Sequence, residues 1–165
     1  MKKIEINLYS FNELSEKAKQ KVIDKLRYIN VDFDWWQFTY EDAENIGLKI
    51  TSFGLDRDRH AKGKFIESGI ECANLIIKEH GETCETYKTA QTFLSDYDNL
   101  VSKHSDGKNL EIVSEDNEYD FDNEADELEI EFLKSLLEDY SIILQNEYEF
   151  QTEDKQIIET IEANN

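Results

Sequence analysis

An aromatic stretch near the N-terminus constrains the fold more than any other part of the sequence. Residues 32–46 read DFDWWQFTYEDAENI and contain five large aromatic side chains: Phe33, Trp35, Trp36, Phe38 and Tyr40. Such side chains bury the most apolar surface per residue, so a core is expected to form around them. The interspersed acids cannot be buried without partners and must lie at the solvent edge of the same element. The stretch therefore predicts a helix, capped by Asp32 or Asp34 and stopped by Gly47.

The two adjacent tryptophans predict two different environments. Neighbouring residues on a helix point about 100° apart, so Trp35 and Trp36 cannot easily face the same core. One of them is expected in the core. The other packs on another element or lies exposed as an anchor for a partner, a role that tryptophan often has at interfaces. We take Trp35 as the candidate partner-binding residue.

Hydrophobic periodicity predicts the elements around this stretch. Residues 3–9 alternate apolar and polar side chains, which indicates a half-buried strand. Ser15 caps a helix to about Tyr28. The segment 48–65 reads as a β-hairpin with a bulge at Thr51–Ser52, where the apolar phase changes. The chain thus predicts an α+β fold: a mostly helical single domain, in which the N-terminal strand and the hairpin form a small antiparallel sheet.

Helices dominate the remainder of the chain. The first of these helices is expected to end at His80–Gly81. The second is expected over residues 83–101, and its inner face consists of Tyr87, Ala90, Leu94, Tyr97 and Val101. Another begins at Phe132, EYEF (147–150) is a candidate short strand, and a last helix carries Ile157, Ile158 and Ile161. The predicted organisation is an α+β core over 1–108, an acidic segment over 109–131 that is either a connector or the start of a helix, and a C-terminal helical segment over 132–165 that packs on the core.

Charge separates the two halves of the chain. The 165 residues carry 18 Lys/Arg and 38 Asp/Glu, a formal net charge of −20. Residues 1–81 hold 13 basic and 14 acidic residues, whereas residues 82–165 hold 5 and 24. Such a balance repels nucleic acid and anionic membranes, since phosphates require Lys and Arg. It favours basic partners instead, so we expect a basic protein partner, no direct nucleic-acid binding and no membrane.

The densest acidic run, residues 111–131, is the strongest functional signal. It contains eleven acids and no Lys or Arg, a density comparable to the ~1.7 Å charge spacing of duplex nucleic acid. On a rigid surface the run would occupy the groove of a nuclease or another basic protein; the alternative is a solvated, partly disordered connector. The candidate partner-binding acids are Glu111, Glu115, Asp116, Glu118, Asp120, Asp122, Glu124, Asp126 and Glu127.

Other chemistry is weakly supported. The windows 116–127 and 120–131 lack the glycine at position six that an EF-hand requires. A zinc set of Cys72, His80 and Cys84, with His60 or His104, fits no standard spacing. The sequence has no GxSxG, HExxH or phosphate-binding glycine loop. A basic cluster, Arg57, Arg59, Lys62 and Lys64, reads as a solvated hairpin tip. We therefore predict no enzyme activity, no cofactor and no metal.

Two cysteines provide no disulfide framework, and residues 1–9 contain no apolar signal region. No segment approaches the roughly 18 apolar residues of a membrane helix. These features predict a cytoplasmic protein.

Several sequence segments resemble those of a family of small proteins encoded by bacteriophages and related mobile elements. They are FNELSEKAKQKVIDKLRYINVDFDWW, EDAENIGLKITSFGLDRDRHAKGKF, IKEHGETCETYKTA and IIETIEAN. Some members of that family are labelled antitoxins, and the resemblance brings no catalytic residues. It implies a phage-type protein that acts by binding a host protein.

Four function hypotheses follow. The leading one is an anti-CRISPR-like inhibitor, whose acidic half mimics nucleic acid and engages a basic effector or defence nuclease in the host cytoplasm. The alternatives are an antitoxin that neutralises a basic toxin, a phage accessory or structural factor, and a metal-assisted hydrolase that uses acids of the run.

Overall fold

The structure, a computed structural model, describes residues 7–105 and 115–164, with the backbone alone over 115–119. These residues form six α-helices and one antiparallel pair of strands, which confirms the predicted mostly helical α+β class. The elements are α1 (Glu16–Lys25), α2 (Gln37–Asn45), β1 (Leu48–Gly54), β2 (His60–Phe65), α3 (Gly69–Glu79), α4 (Glu85–His104), α5 (Glu115–Gln151) and α6 (Asp154–Ala163).

The chain divides into two compact units. A terminal unit combines Met1–Trp36 with Asn146–Asn165, and a central unit comprises Gln37–Gln145. This division differs from the predicted boundaries at 108/109 and 131/132, because α5 runs without a break across residue 131. Residues of α5 up to 145 belong to the central unit and those from 146 to the terminal unit.

The terminal unit has a small core of its own. Phe11, Ile23 and Ile157 are buried together, so that α1 and α6 share an apolar contact. The side chain of Asn30 donates to the Gln151 carbonyl (3.2 Å) and accepts from the Thr160 hydroxyl (2.8 Å). The predicted helix after Ser15 is present, with Ser15 at its N-cap position, but it ends at Lys25, three residues before the predicted end. Of the predicted N-terminal strand, residues 1–6 lie outside the described residues, and residues 7–10 form no strand.

The central unit is built on a layered aromatic core. Phe132 of α5 stacks on Phe93 of α4 at 4.3 Å between ring centroids and on Phe65 of β2 at 5.5 Å. Leu136 and Tyr140 continue this buried stripe one and two turns further along α5. Side chains spaced four residues apart lie on one helical face, so α5 packs against both the hairpin and α4 through this stripe.

Two glycines allow the hairpin to take its position. Gly47 has φ +81°, a left-handed conformation that ends α2 and admits few other residues. A Cβ at Gly63 would lie 2.6 Å from the Lys49 carbonyl oxygen and 3.1 Å from Leu137 of α5. The close approach of β2 to β1 and α5 therefore requires glycine there. The predicted bulge is confirmed, because the strand register shifts between Ile50 and Ser52.

Two local predictions are wrong, and a third is incomplete. Both tryptophans precede α2, which begins at Gln37, instead of lying within it. On the inner side of α4, the predicted Tyr87, Ala90, Leu94 and Tyr97 lie in or against the central core, and the prediction missed the more deeply buried Thr86, Phe93, Leu100 and His104. The EYEF segment is helical and forms part of α5.

Candidate interaction surface

The acidic run lies on α5. Its described part, Glu115 to Glu131, is helical throughout and forms the first half of α5. Packing explains why so acidic a segment is helical: Phe121 makes an edge contact with Tyr97 of α4 (6.1 Å), and Leu128 packs against the central core. Helix stability comes mainly from such burial of an amphipathic face and less from intrinsic propensity. A continuous helix also has no loop in which an EF-hand could form.

The candidate acids differ in their surroundings. Glu115, Asp116 and Glu118 belong to the first turns of α5, and Glu111 lies outside the described residues. Asp120, Asp122, Asp126 and Glu127 are exposed. Glu131, which was not among the predicted partner-binding acids, is exposed as well. We call the exposed set the acidic face; its residues are Asp120, Asp122, Asp126, Glu127 and Glu131.

The Glu124 carboxylate has partners within the central unit. It accepts from Lys103 Nζ at 2.6 and 2.7 Å and lies 3.3 Å from Nε2 of the buried His104. The hydrogen bond from Lys103 is the main cause that lowers the pKa of Glu124 below its ordinary value. Glu124 therefore joins the C-terminal end of α4 to α5, and most of its charge is compensated.

A second acid of the run also has an internal partner. The Glu129 carboxylate accepts from the backbone N–H of Gly69 at 3.1 Å. This N–H belongs to the first turn of α3, where a helix has unsatisfied donors and attracts negative charge. Glu129 thus stabilises the start of α3.

A groove follows the α4–α5 seam beside the acidic face. It consists of two adjoining depressions of about 320 Å³ and 340 Å³, which share Asp96, Leu128 and Glu131. Leu100 and Phe93 supply its apolar surface, and exposed carboxylates line it together with Lys88 and Lys103. Asp96 was not predicted, since it belongs to another helix and reaches this surface only through the packing of α4 on α5.

Trp35 is buried, which argues against the prediction that it contacts a partner. It is 8% exposed in the terminal unit, with Trp36 and Tyr148 each 5.7 Å away between ring centroids. Because both tryptophans precede α2, the 100° separation of helical neighbours does not apply, and the two rings pack edge to face. We therefore leave Trp35 out of the candidate surface.

The candidate zinc residues have other partners or positions. Cys72 is buried in α3, where burial raises the pKa of its thiol to about 12, whereas Cys84 is exposed at the N-cap of α4. His60 contacts the Asp58 carbonyl at 2.7 Å in the hairpin loop. Over residues 7–105 and 115–164, no three His, Cys, Asp or Glu side chains are grouped so that they could hold a metal ion.

A polar network links four elements of the central unit. Tyr140 donates to Asp42 Oδ2 at 2.7 Å, and burial together with this bond raises the pKa of Tyr140. His80 Nδ1 contacts the Thr86 hydroxyl at 2.7 Å, and its Nε2 lies 3.6 Å from Asp42 Oδ1. The hydrogen bonds of Tyr140 and of His80 Nδ1 help to fix the geometry of the elements that carry them, whereas His80 Nε2 is buried and has no hydrogen-bond partner among the described residues. The network therefore orients α2, α4 and α5 around the end of α3.

The four basic residues of the hairpin differ in their contacts, because Arg59 contacts α5. Arg59 Nε donates to Ser141 Oγ at 3.1 Å, and its guanidinium forms an ion pair with Glu138 of α5. Arg57, Lys62 and Lys64 are exposed, as expected for a solvated hairpin tip. Arg59 accordingly has a structural role in joining the hairpin loop to α5.

None of the described helices is both long enough and apolar enough to cross a membrane. Comparison with protein-family models, with curated proteins and with solved structures finds no match.

Proposed function

We propose that this chain is a non-enzymatic, phage-type binding protein, which inhibits a basic nucleic-acid-binding defence protein of the host in an anti-CRISPR-like manner. The acidic face would occupy the groove in which the defence protein holds nucleic acid. The observation that carries the proposal is the set of five exposed carboxylates that form the acidic face of α5.

The spacing of these carboxylates supports mimicry of a nucleic-acid strand. At about 1.5 Å of rise per residue, the five acids give roughly one charge per 3–4 Å of helix axis, close to the ~3.4 Å of one DNA strand. At about 100° per residue they occupy two flanks of α5, with Asp120, Glu127 and Glu131 on one flank and Asp122 and Asp126 on the other. No Lys or Arg interrupts α5 before Lys134. A basic groove that follows a phosphate backbone would therefore meet negative charges at a similar spacing along the helix axis.

The rigidity of the helix supports the same proposal. The opposite side of α5 is anchored by Phe132, Leu136 and Tyr140, all of which are buried. Charges on such a helix are held in place before binding, so less conformational entropy is lost when a partner docks. A disordered acidic tail would lose that entropy on binding.

A matched pair of variants tests the proposal. The first neutralises the acidic face with Asp→Asn and Glu→Gln changes. The second neutralises three Asp and two Glu that are exposed elsewhere, so both chains change from a net charge of −20 to −15. The control substitutions are Asp32→Asn, Asp34→Asn, Asp56→Asn, Glu82→Gln and Glu162→Gln.

The measurement is fluorescence anisotropy of labelled target DNA on guide-loaded CRISPR effectors or defence nucleases captured from the host. The wild-type chain should displace the DNA, and less so as salt rises. Five exposed pairs at ~0.5 kcal/mol each predict roughly 70-fold weaker inhibition by the acidic-face variant. The control variant should stay within about threefold of wild type. Equal losses in both variants, or no displacement by wild type at moderate salt, would refute the proposal.

An antitoxin would use the same acidic face against a basic toxin. Capture of a toxic protein encoded beside this chain, with no effect on any defence nuclease, would favour that alternative.

A further inference from the structure

The central unit contains an apolar cavity that the acidic face does not include. It has a volume of about 500 Å³ and lies where the end of α2 and the segment after β2 meet one side of α3, from Glu71 to Lys78. Gly47, Ile66, Cys72 and Leu75 supply its apolar walls. A volume of this size falls within the roughly 300–1,000 Å³ of ligand-binding pockets.

Backbone contacts hold this cavity open. Ile66 N donates to the Gly47 carbonyl at 2.8 Å, which fixes one wall against the turn that ends α2. A Cβ on Gly47 would lie 3.7 Å from Cys72 Cα and from Leu75 Cδ1, so the turn packs directly on α3. The Ile66 side chain is 48% exposed and leaves apolar surface at the mouth of the cavity. The site is thus formed before any ligand arrives.

The rim of the cavity is acidic. Glu44, Glu67 and Glu71 line it, and their carboxylates form no ion pair with any other residue that the structure describes. Lys78, the rim's cation, forms an ion pair with Glu79 at 2.5 Å. An apolar group would therefore enter more favourably with cationic neighbours than with anionic ones.

The cavity lies near the acidic run. Its rim includes Ser68, the N-cap of α3, and the next residue, Gly69, donates its N–H to Glu129 of α5. A partner that contacts the acidic run on this side of α5 would also meet the mouth of the cavity. Large apolar side chains in such pockets supply most of the binding free energy at many interfaces.

We infer that the cavity receives a large apolar side chain of the basic partner, presented by a segment in which Lys or Arg flank it. The identity of this partner rests on the proposed function, whereas the ligand chemistry rests on the cavity itself. Apolar contact would supply affinity, and the acidic rim would select the charge of the flanking residues.

Short peptides test the ligand chemistry without the full partner. The probes are acetylated, amidated tripeptides: Arg-Trp-Lys, Glu-Trp-Glu and Arg-Gly-Lys. Methyl NMR spectra of the full chain should show saturable shifts at Ile66 and Leu75 with Arg-Trp-Lys. The other two peptides should bind at least tenfold more weakly, because one lacks the cationic flanks and the other lacks the apolar anchor.

A matched pair of variants locates the binding. Ile66→Lys adds a cation at the mouth and should weaken Arg-Trp-Lys at least tenfold, with the shifts then read at Leu75. Ile142→Lys makes the same change at a similarly exposed isoleucine, 38% exposed, on α5 and should leave the affinity within twofold. Both substitutions are at exposed positions, and equal unfolding temperatures will show that the fold is intact.

Several results would overturn the inference. Equal affinity for Glu-Trp-Glu would remove the role of the rim, and absence of shifts at Ile66 and Leu75 at millimolar peptide would remove the site. Concentration-dependent shifts of these methyls without peptide, abolished by Ile66→Lys, would assign the cavity to a second copy of this chain. Peptide binding in a chain that fails to displace DNA from any effector would instead refute the proposed function and leave the cavity assignment intact.

Discussion

The two sides of α5 in the central unit differ in nearly every physical property. One side buries Phe132, Leu136 and Tyr140, while the other exposes carboxylates with few partners. Like charges four residues apart, such as Asp122 and Asp126, cost ~0.2–0.5 kcal/mol per pair, whereas burial of one large apolar side chain contributes ~1.5–3 kcal/mol. The buried side therefore stabilises a helix whose other side opposes helix formation. Stability and charge display are carried by separate faces and should respond separately to mutation.

The largest effect is expected from Phe132→Ala on the buried side. It removes a ring that stacks on both Phe93 and Phe65 and should lower the free energy of unfolding by ~4 kcal/mol. Urea unfolding followed by circular dichroism measures this change. Ile130→Ala, two residues away and 52% exposed, is the control and should cost less than ~1 kcal/mol. Similar losses for both would show that the two sides do not differ as described.

A smaller effect is expected from Tyr140→Phe, which keeps the ring and removes only the hydroxyl that donates to Asp42. A hydrogen bond to a charged group contributes ~1.5–3 kcal/mol, and the partial exposure of Asp42 places the expected loss near ~1.5 kcal/mol. The same urea titration detects it. Tyr28→Phe, at a tyrosine that is 63% exposed, should change nothing beyond error. An unchanged Tyr140→Phe variant would mean that the polar network adds no stability.

The smallest effect is expected at Glu124, the acid of the run that accepts hydrogen bonds from Lys103. Because Lys103 lowers the pKa of Glu124 in the folded chain, the pair stabilises the fold above the ordinary carboxyl pKa of 4.5. That contribution is lost as the pH falls through the lowered pKa. Lys103→Met should therefore reduce the melting temperature at pH 7, and the difference from wild type should disappear towards pH 3.

The control for this prediction is Lys155→Met, which changes an exposed lysine of α6 whose nearest carboxylate oxygen, on Glu159, is 3.9 Å away. Its difference from wild type should be small and nearly constant between pH 7 and pH 3. A Lys103→Met difference that is likewise independent of pH would show that Lys103 does not stabilise the Glu124 carboxylate. Glu124 would then not differ from the acids of the acidic face.

Features with a local cause were predictable from the sequence. Ser15 occupies the N-cap position of α1, Gly47 ends α2, and the phase change at Thr51 marks the bulge, each because a few neighbouring residues determine the backbone conformation. The helical state of the acidic run was only one of two alternatives, since its own charges oppose a helix. The contacts that decide it, such as Phe121 with Tyr97, join residues distant in sequence.

The candidate surface was predictable only in part for the same reason. The acids of the run could be named, but the pairing of Glu124 with Lys103 and the arrival of Asp96 depend on how α4 packs against α5. Trp35 was predicted as a partner contact on the assumption that both tryptophans lie within a helix, whereas α2 begins at Gln37 and Trp35 is buried. Helix boundaries are set by tertiary contacts as much as by propensity.

The unequal surroundings of the two cysteines have a practical consequence. The thiolate is the species that reacts with maleimides, and the Cys72 thiol is both enclosed and kept protonated at neutral pH. Cys84 is open to solvent at the start of α4. The unaltered chain should thus accept a single fluorophore at a known position, so that its encounters with other molecules can be followed by fluorescence without removing any native residue.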